Sequence, residues 1–194
     1  RLACVLQNTY TNFEIDIYIN IINAIAKLTD LQYKPDNYFK PSKEQTQINY
    51  AFRLIADHLK ACTFAIADGA IPSNKERGYI IRKLVRRAIV YAHKLHVTES
   101  IIRPVVEQVV ESMKDYYPYL EEVKERVIST LETEETQFKN TLKKGFDLFN
   151  HVSVLFDGFQ CIFGSIYKIN IGVIFSQNSI YKLRIFILFS EFCV

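Results

Sequence analysis

The sequence predicts a mainly α protein that closes on an irregular or β-prone tail. Three observations predict it. Apolar residues recur at spacings of three and four through five separate stretches of the first 150 residues, the period of a helix with one buried face. Proline, glycine, Asp-Asn and Pro-Ser pairs cluster at the joins between those stretches, where turns belong. Beyond about residue 150 the helical pattern and most of the charge disappear together.

Residues 14–29 form the first expected helix, with Ile15, Tyr18, Ile19, Ile22, Ile25, Ala26 and Leu28 in helical register. Residues 30–46 read as loop, because they hold Pro35, Asp36-Asn37 and Pro41-Ser42. A second helix is expected over 47–66 on Ile48, Ala51, Phe52, Ile55, Leu59 and Cys62, ended by Asp68-Gly69, a pair suited to a left-handed C-terminal turn. Ser73-x-x-Glu76 then has the spacing of a capping box and starts a third helix, over 74–95. A fourth is expected over 98–116, carrying Ile101, Ile102, Val105, Val106, Val109, Val110 and Met113, and Pro118 interrupts it. The fifth, over 119–149, begins with acids (Glu121, Glu122, Glu125) and ends with Lys139, Lys143 and Lys144, an order that suits the helix dipole. Its acids are read as solubilising.

The third helix carries the sharpest signal. Ile81, Leu84, Val85, Ala88 and Ala92 fill one arc of its wheel, and Arg82, Lys83, Arg86 and Arg87 fill the opposite one. Ordinary solvated faces mix both signs, whereas this arc has almost no acid. Like charges four apart, Arg82 with Arg86 and Lys83 with Arg87, cost a few tenths of a kcal/mol per pair. A polyanion would relieve that cost, and the face is expected to meet either water or a phosphate backbone. His58 follows Asp57 on a helix, where neighbours point about 100° apart, and it is read as structural.

Composition bounds the alternatives. With 194 residues and 49% hydrophobic content the chain can build one moderate core. Its net charge of +3 is too small to argue a nucleic-acid partner from totals. Cys4, Cys62, Cys161 and Cys193 form no CxxC pair, which speaks against zinc and for a reduced, cytoplasmic setting. Neither apolar run of the tail approaches about 20 residues without polar breaks, so no membrane span is expected. Residues 151–194 hold seven phenylalanines and five charged side chains, a bias that resembles translated non-coding or frame-shifted sequence. The only methionine is Met113, and the chain is expected to be a piece of something longer.

Several blocks in register resemble the alanyl-tRNA synthetase family: Arg53–His58, Ala67-Asp68-Gly69, Pro72-Ser73-Asn74, Arg77-Gly78-Tyr79, the basic pairs 82–83 and 86–87, and Glu134-Glu135-x-Gln137-Phe138-x-x-Thr141-Leu142-x-x-Gly145. Arg1 to Gln7 resembles the end of motif 3 of class II synthetases, and Asn12-Phe13-x-x-Asp16 the stretch that follows it. The resemblance covers about residues 1–150. It implies the end of a class II aminoacylation core over 1–35, a helical tRNA-recognition domain over 36–150 and a divergent tail over 151–194. It also implies an alanine–tRNA ligase that uses alanine and ATP with Mg2+ and engages the acceptor stem of tRNA(Ala).

The same resemblance implies ATP phosphate contact at Arg1 and tRNA contact at Asn74, Arg77, Arg82, Lys83, Arg86 and Arg87. Most of these cations would position the RNA, since A-form duplexes are held mainly through phosphate and 2′-OH. The family selects a G·U wobble pair, which puts a specifying polar side chain near Asn74–Glu76 and an arginine at Arg87. Glu76 stands where the family has a small or amide residue, and is read as the capping-box partner. Three expected parts are missing: motifs 1 and 2, a Tyr-Asp-Thr-Tyr-Gly-Phe-Pro block after the long helix, and the editing domain with its zinc. The fragment alone is not expected to aminoacylate. The alternative is a non-catalytic helical module that binds RNA or protein through the same basic helix.

Overall fold

The computed structural model describes residues 1–34, 42–97 and 99–163. Six helices make up the regular structure of those residues, and no strand occurs among them. They are α1 (Leu2–Leu6), α2 (Asp16–Ala26), α3 (Lys43–Ala67), α4 (Glu76–Lys94), α5 (Ile102–Met113) and α6 (Tyr119–Phe163). The chain divides into two compact units, Arg1–Glu135 and Thr136–Val194.

The first unit is built around α3, which packs on α2, α4 and α5, while α2 also packs on α5. Ile21, Ile22 and Ile25 of α2, Phe52, Ile55 and Leu59 of α3, Val85 and Ala88 of α4, and Val105, Val106 and Val109 of α5 are all buried. These are the apolar stripes that the three-and-four spacing marks, now facing one another. Ile128 and Leu131 of α6 are buried as well. Of the second unit, the described part is the distal stretch of α6, to Phe163.

Several helix ends depart from expectation, and α5, at Ile102–Met113, is shorter at both ends than the expected 98–116. Helix α3 starts at Lys43 rather than 47, because Ser42 is its N-cap: the Gln45 amide donates to Ser42 Oγ at 3.1 Å. Ser42 is therefore a helix start, since its hydroxyl satisfies one of the orphan amides of the first turn, and the expected loop over 35–41 lies outside the described residues. Helix α4 starts at Glu76, with Lys75 as a cap that makes no side-chain bond. Ser73 makes no capping box. Its hydroxyl accepts from the Lys75 amide at 3.3 Å and donates to the Lys75 carbonyl at 2.9 Å, so it builds a turn two residues ahead of itself. Helix α2 is shorter than expected, because residues 27–30 leave the helix as turn and bend. Helix α6 runs past 149 into the expected irregular tail. Between Tyr119 and Phe163 there is no proline, and Gly145 and Gly158 are tolerated, so nothing in the backbone stops the ladder. The rest of the tail, 164–194, lies outside the described residues.

The expected stop of α3 is present. Gly69 has φ +92°, its amide reaches the Ile66 carbonyl at 3.0 Å, and the Ala70 amide reaches the Ala65 carbonyl at 3.0 Å. That pair of bonds is the Schellman closure, and its left-handed residue favours glycine.

Candidate nucleic-acid interface

The basic face of α4 is two rows rather than one. Arg82 and Arg86 lie four apart along one shoulder, and Lys83 and Arg87 lie four apart one residue further round. The first row turns inward. Arg82 Nε donates to Glu134 Oε2 at 3.2 Å, and Arg86 Nε donates to Glu134 Oε1 at 3.0 Å. Glu134 comes from α6 and is only 4% exposed, while the two guanidinium side chains keep 20% and 17%. The expectation that all four cations face water or a polyanion is thus corrected for Arg82 and Arg86. A carboxylate nearly fifty residues away supplies the acid that the helix itself lacks.

The second row stays outside. Lys83 is exposed with no ion pair among the described residues. Arg87 is exposed, and its guanidinium donates to the Tyr50 hydroxyl at 2.9 Å. A neutral phenol orients the guanidinium without cancelling its charge. Tyr79 and Ile80 are exposed beside these cations, at 39% and 57%. Arg77 is exposed at the start of α4, and it too has no partner among the described residues.

The turn that leads into α4 is set by two backbone features. Gly78 is buried, and a Cβ there would lie 2.3 Å from both the Ile71 carbonyl oxygen and Ser73 Oγ. The chain at 71–73 passes over the first turn of α4 because residue 78 has no side chain. Glu76 has φ +50°, the left-handed region that Asn and Gly enter more readily than Glu. This is a backbone reason for the amide or small residue that the resemblance puts there. Asn74 is exposed on this turn, and its side-chain oxygen accepts from Arg82 Nη1. Four groups therefore form one chain: Asn74, Arg82, Glu134 and Arg86.

Other expected positions are placed more plainly. Arg1 is exposed at the N-cap of α1, a helix with no buried residue, and Leu2, Val5 and Leu6 are each more than 70% exposed. His58 does contact Asp57, Nδ1 lying 3.3 Å from the carboxylate, despite the angle between helical neighbours. Its buried Nε2 has no hydrogen-bond partner among the described residues. Burial lowers the His58 pKa below its ordinary value, against the opposing pull of Asp57. Cys62 is buried, and desolvation pushes its thiol up to about 12.

Glu134 and Tyr50 were missed as parts of this site. Glu134 had a readable signal: it shares the stripe of Leu131 and Phe138 at helical spacing, and an acid on an apolar stripe needs a cation. Tyr50 had none, since an exposed tyrosine on α3 is unremarkable in the sequence. Among the described residues no group of three or more His, Cys, Asp or Glu could hold a metal ion. No helix of the described residues is long and apolar enough to cross a membrane.

Comparison with known proteins gives one consistent relationship. The family described as tRNA synthetases class II (A) matches residues 1–156. Alanine–tRNA ligase of Mycoplasma capricolum subsp. capricolum is 48% identical over 154 residues, covering 78% of this chain and 17% of that protein. The ligase of Mesoplasma florum is 45% identical over 152 residues, 77% of this chain and 17% of that protein. The ligase of Leuconostoc citreum is 40% identical over 152 residues, 78% of this chain and 16% of that protein. The chain thus spans about 17% of the length of the curated relatives it matches.

Proposed function

The chain belongs to the class II (A) tRNA synthetase family, and we propose that it is a segment of an alanine–tRNA ligase that holds the tRNA acceptor stem on the outer row of α4. The intact enzyme activates alanine with ATP and Mg2+ and transfers it to tRNA(Ala). Residues 1–35 close its aminoacylation core, and 36–150 form its tRNA-recognition domain. The supporting observation is the split of the basic face: Lys83 and Arg87 are exposed with no ion pair among the described residues, with Arg77 at the helix start. Uncompensated cations on one ridge suit a phosphate backbone, which releases its counterions on contact.

Arg82 and Arg86 have a different part in this reading. Both guanidinium groups lean on the one Glu134 carboxylate, so they contribute long-range attraction more than direct contact. Asn74, exposed on the turn beside them, is the candidate reader of the wobble pair, with Arg87 as its companion. ATP supplies the adenylyl group that activates the alanine carboxylate in the intact enzyme, with pyrophosphate as leaving group, and Arg1 is the residue of this chain that would meet its phosphates.

The test is a titration of two acceptor-stem duplexes, one with the G·U pair and one with G·C, at several salt concentrations. Lys83→Gln and Arg87→Gln should each weaken binding and flatten the logarithmic salt dependence by roughly one unit, because each removes a phosphate contact. The helix should persist, since Arg, Lys and Gln have similar helix propensities. Arg87→Gln should also narrow the gap between the two stems. Unchanged affinity and slope in the double variant would return the ridge to an ordinary solvated face.

A further inference from the structure

We propose that Glu134 is the positioning residue of this face, resting on the acceptor-stem reading above: it withdraws Arg82 and Arg86 from phosphate and, through Arg82, holds Asn74 in place. The geometry is a fork. One buried carboxylate takes both Nε groups: that of Arg82 lies 3.2 Å from each of its oxygens, and that of Arg86 lies 3.0 Å from Oε1. Binding through Nε fixes the long axis of each guanidinium and leaves its terminal nitrogens pointing elsewhere. For Arg82 that elsewhere is the side-chain oxygen of Asn74.

Asn74 itself is exposed and sits on a turn outside regular structure, where a free side chain would sample several rotamers. Its side-chain oxygen is held by Arg82, and Arg82 is held from within the fold. Glu134 is thus the anchor by which a core-facing helix sets a surface amide. A polar reader is selective only if its geometry is set before the RNA arrives, because a mobile amide would satisfy either pair.

The second consequence concerns charge. Four cations on one helix would bind any duplex through phosphate, and indiscriminate affinity lowers the ratio of wobble to Watson–Crick binding. Glu134 removes two of those cations from competition. Selectivity then rests on the turn and on the outer row.

The experiment uses the full chain, with the same two stems and the same salt series. Glu134→Gln keeps the shape and one acceptor but loses the charge. Its expected signature is a salt dependence steeper by roughly one unit, as Arg82 reaches phosphate. The preference for the wobble stem should fall to the level of Asn74→Ala, and the double variant should lose nothing more, because both act through one side chain. A purely structural role for Glu134 would instead weaken both stems alike and leave the slope unchanged or smaller. That outcome, or a wobble preference intact in folded Glu134→Gln, overturns the proposal. Should Glu134→Gln not fold by circular dichroism, Arg82→Gln cuts the same link from the partly exposed side. It should abolish the wobble preference without the loss of slope seen for Lys83→Gln, and a retained preference again overturns the proposal. A wild-type chain that does not distinguish the stems overturns the acceptor-stem reading and this proposal with it. A wild-type preference unaffected by these changes overturns this proposal alone.

Discussion

At residue 78 a hydrogen stands where a methyl group would strike a backbone oxygen and a serine side chain, both 2.3 Å from an ideal Cβ. The carbonyl of Ile71 cannot swing aside without moving the turn that carries Asn74. Gly78→Ala should therefore cost roughly 2 kcal/mol or more, the scale of overpacking in a tight site, and thermal unfolding would register it as a clear fall in midpoint. An unchanged midpoint would mean the turn can lift off α4 freely. His58 makes a pH prediction with a definite sign. Burial is the largest cause of its lowered pKa, so the folded protein prefers the neutral ring more than the unfolded chain does. The stability it contributes is complete above the unfolded value of about 6.5 and is lost as pH falls from there through the folded pKa. Urea unfolding at pH 7.5 and pH 5.5 should show that loss, and His58→Gln should reduce it. An identical pH dependence in the variant would assign the effect elsewhere. Cys62, with its thiol pushed up to about 12, should resist thiol reagents until the chain unfolds, whereas half-exposed Cys4 should react in the folded protein.

At the scale of elements, the two serines that precede helices show what was legible and what was not. Both Ser42-x-x-Gln45 and Ser73-x-x-Glu76 fit the spacing of a helix start. The first caps, and the second does not. The difference is tertiary: Ser73 is pressed against Gly78, and its hydroxyl is spent on Lys75. No local pattern carries that information. Ser42→Ala should cost about 1 kcal/mol, the usual loss of an N-cap, whereas Ser73→Ala should cost less through helix capping itself. Equal losses measured by chemical denaturation would contradict this division of roles. The periodicity of α4 was readable in full, because an apolar arc opposite a basic one needs only the helical repeat. That two of its four cations face a buried glutamate was not readable from α4, since the partner lies 48 to 52 residues away on another helix. The acids of α6 look like a solvated series until Leu131 and Phe138 show that Glu134 shares their stripe.

For the whole molecule, the helical class and five of the six helices follow from spacing, because every one buries a stripe against a neighbour. The short α1 carries no buried residue, so it has no stripe to read, and its family block was the only guide to it. The composition break at about 150 marks the expected end of helical structure, yet α6 continues to Phe163. Loss of charge changes what a helix can face, while only proline, glycine runs and competing side chains end its backbone ladder. What the break does predict concerns folding of the first unit. The buried side chains of α2 to α5, together with Leu120, Val127, Ile128 and Leu131 of α6, all precede residue 136 and lie within the compact unit Arg1–Glu135. That set is the cooperative core, since burial of apolar area is the main favourable term of folding. A chain ended after residue 150 should keep one cooperative unfolding transition, with a midpoint within a few degrees of the full chain. It should also be more soluble, because seven phenylalanines leave with few charges to shield them. A broad transition without a folded baseline in the shortened chain would show that residues beyond 150 are needed to complete that core.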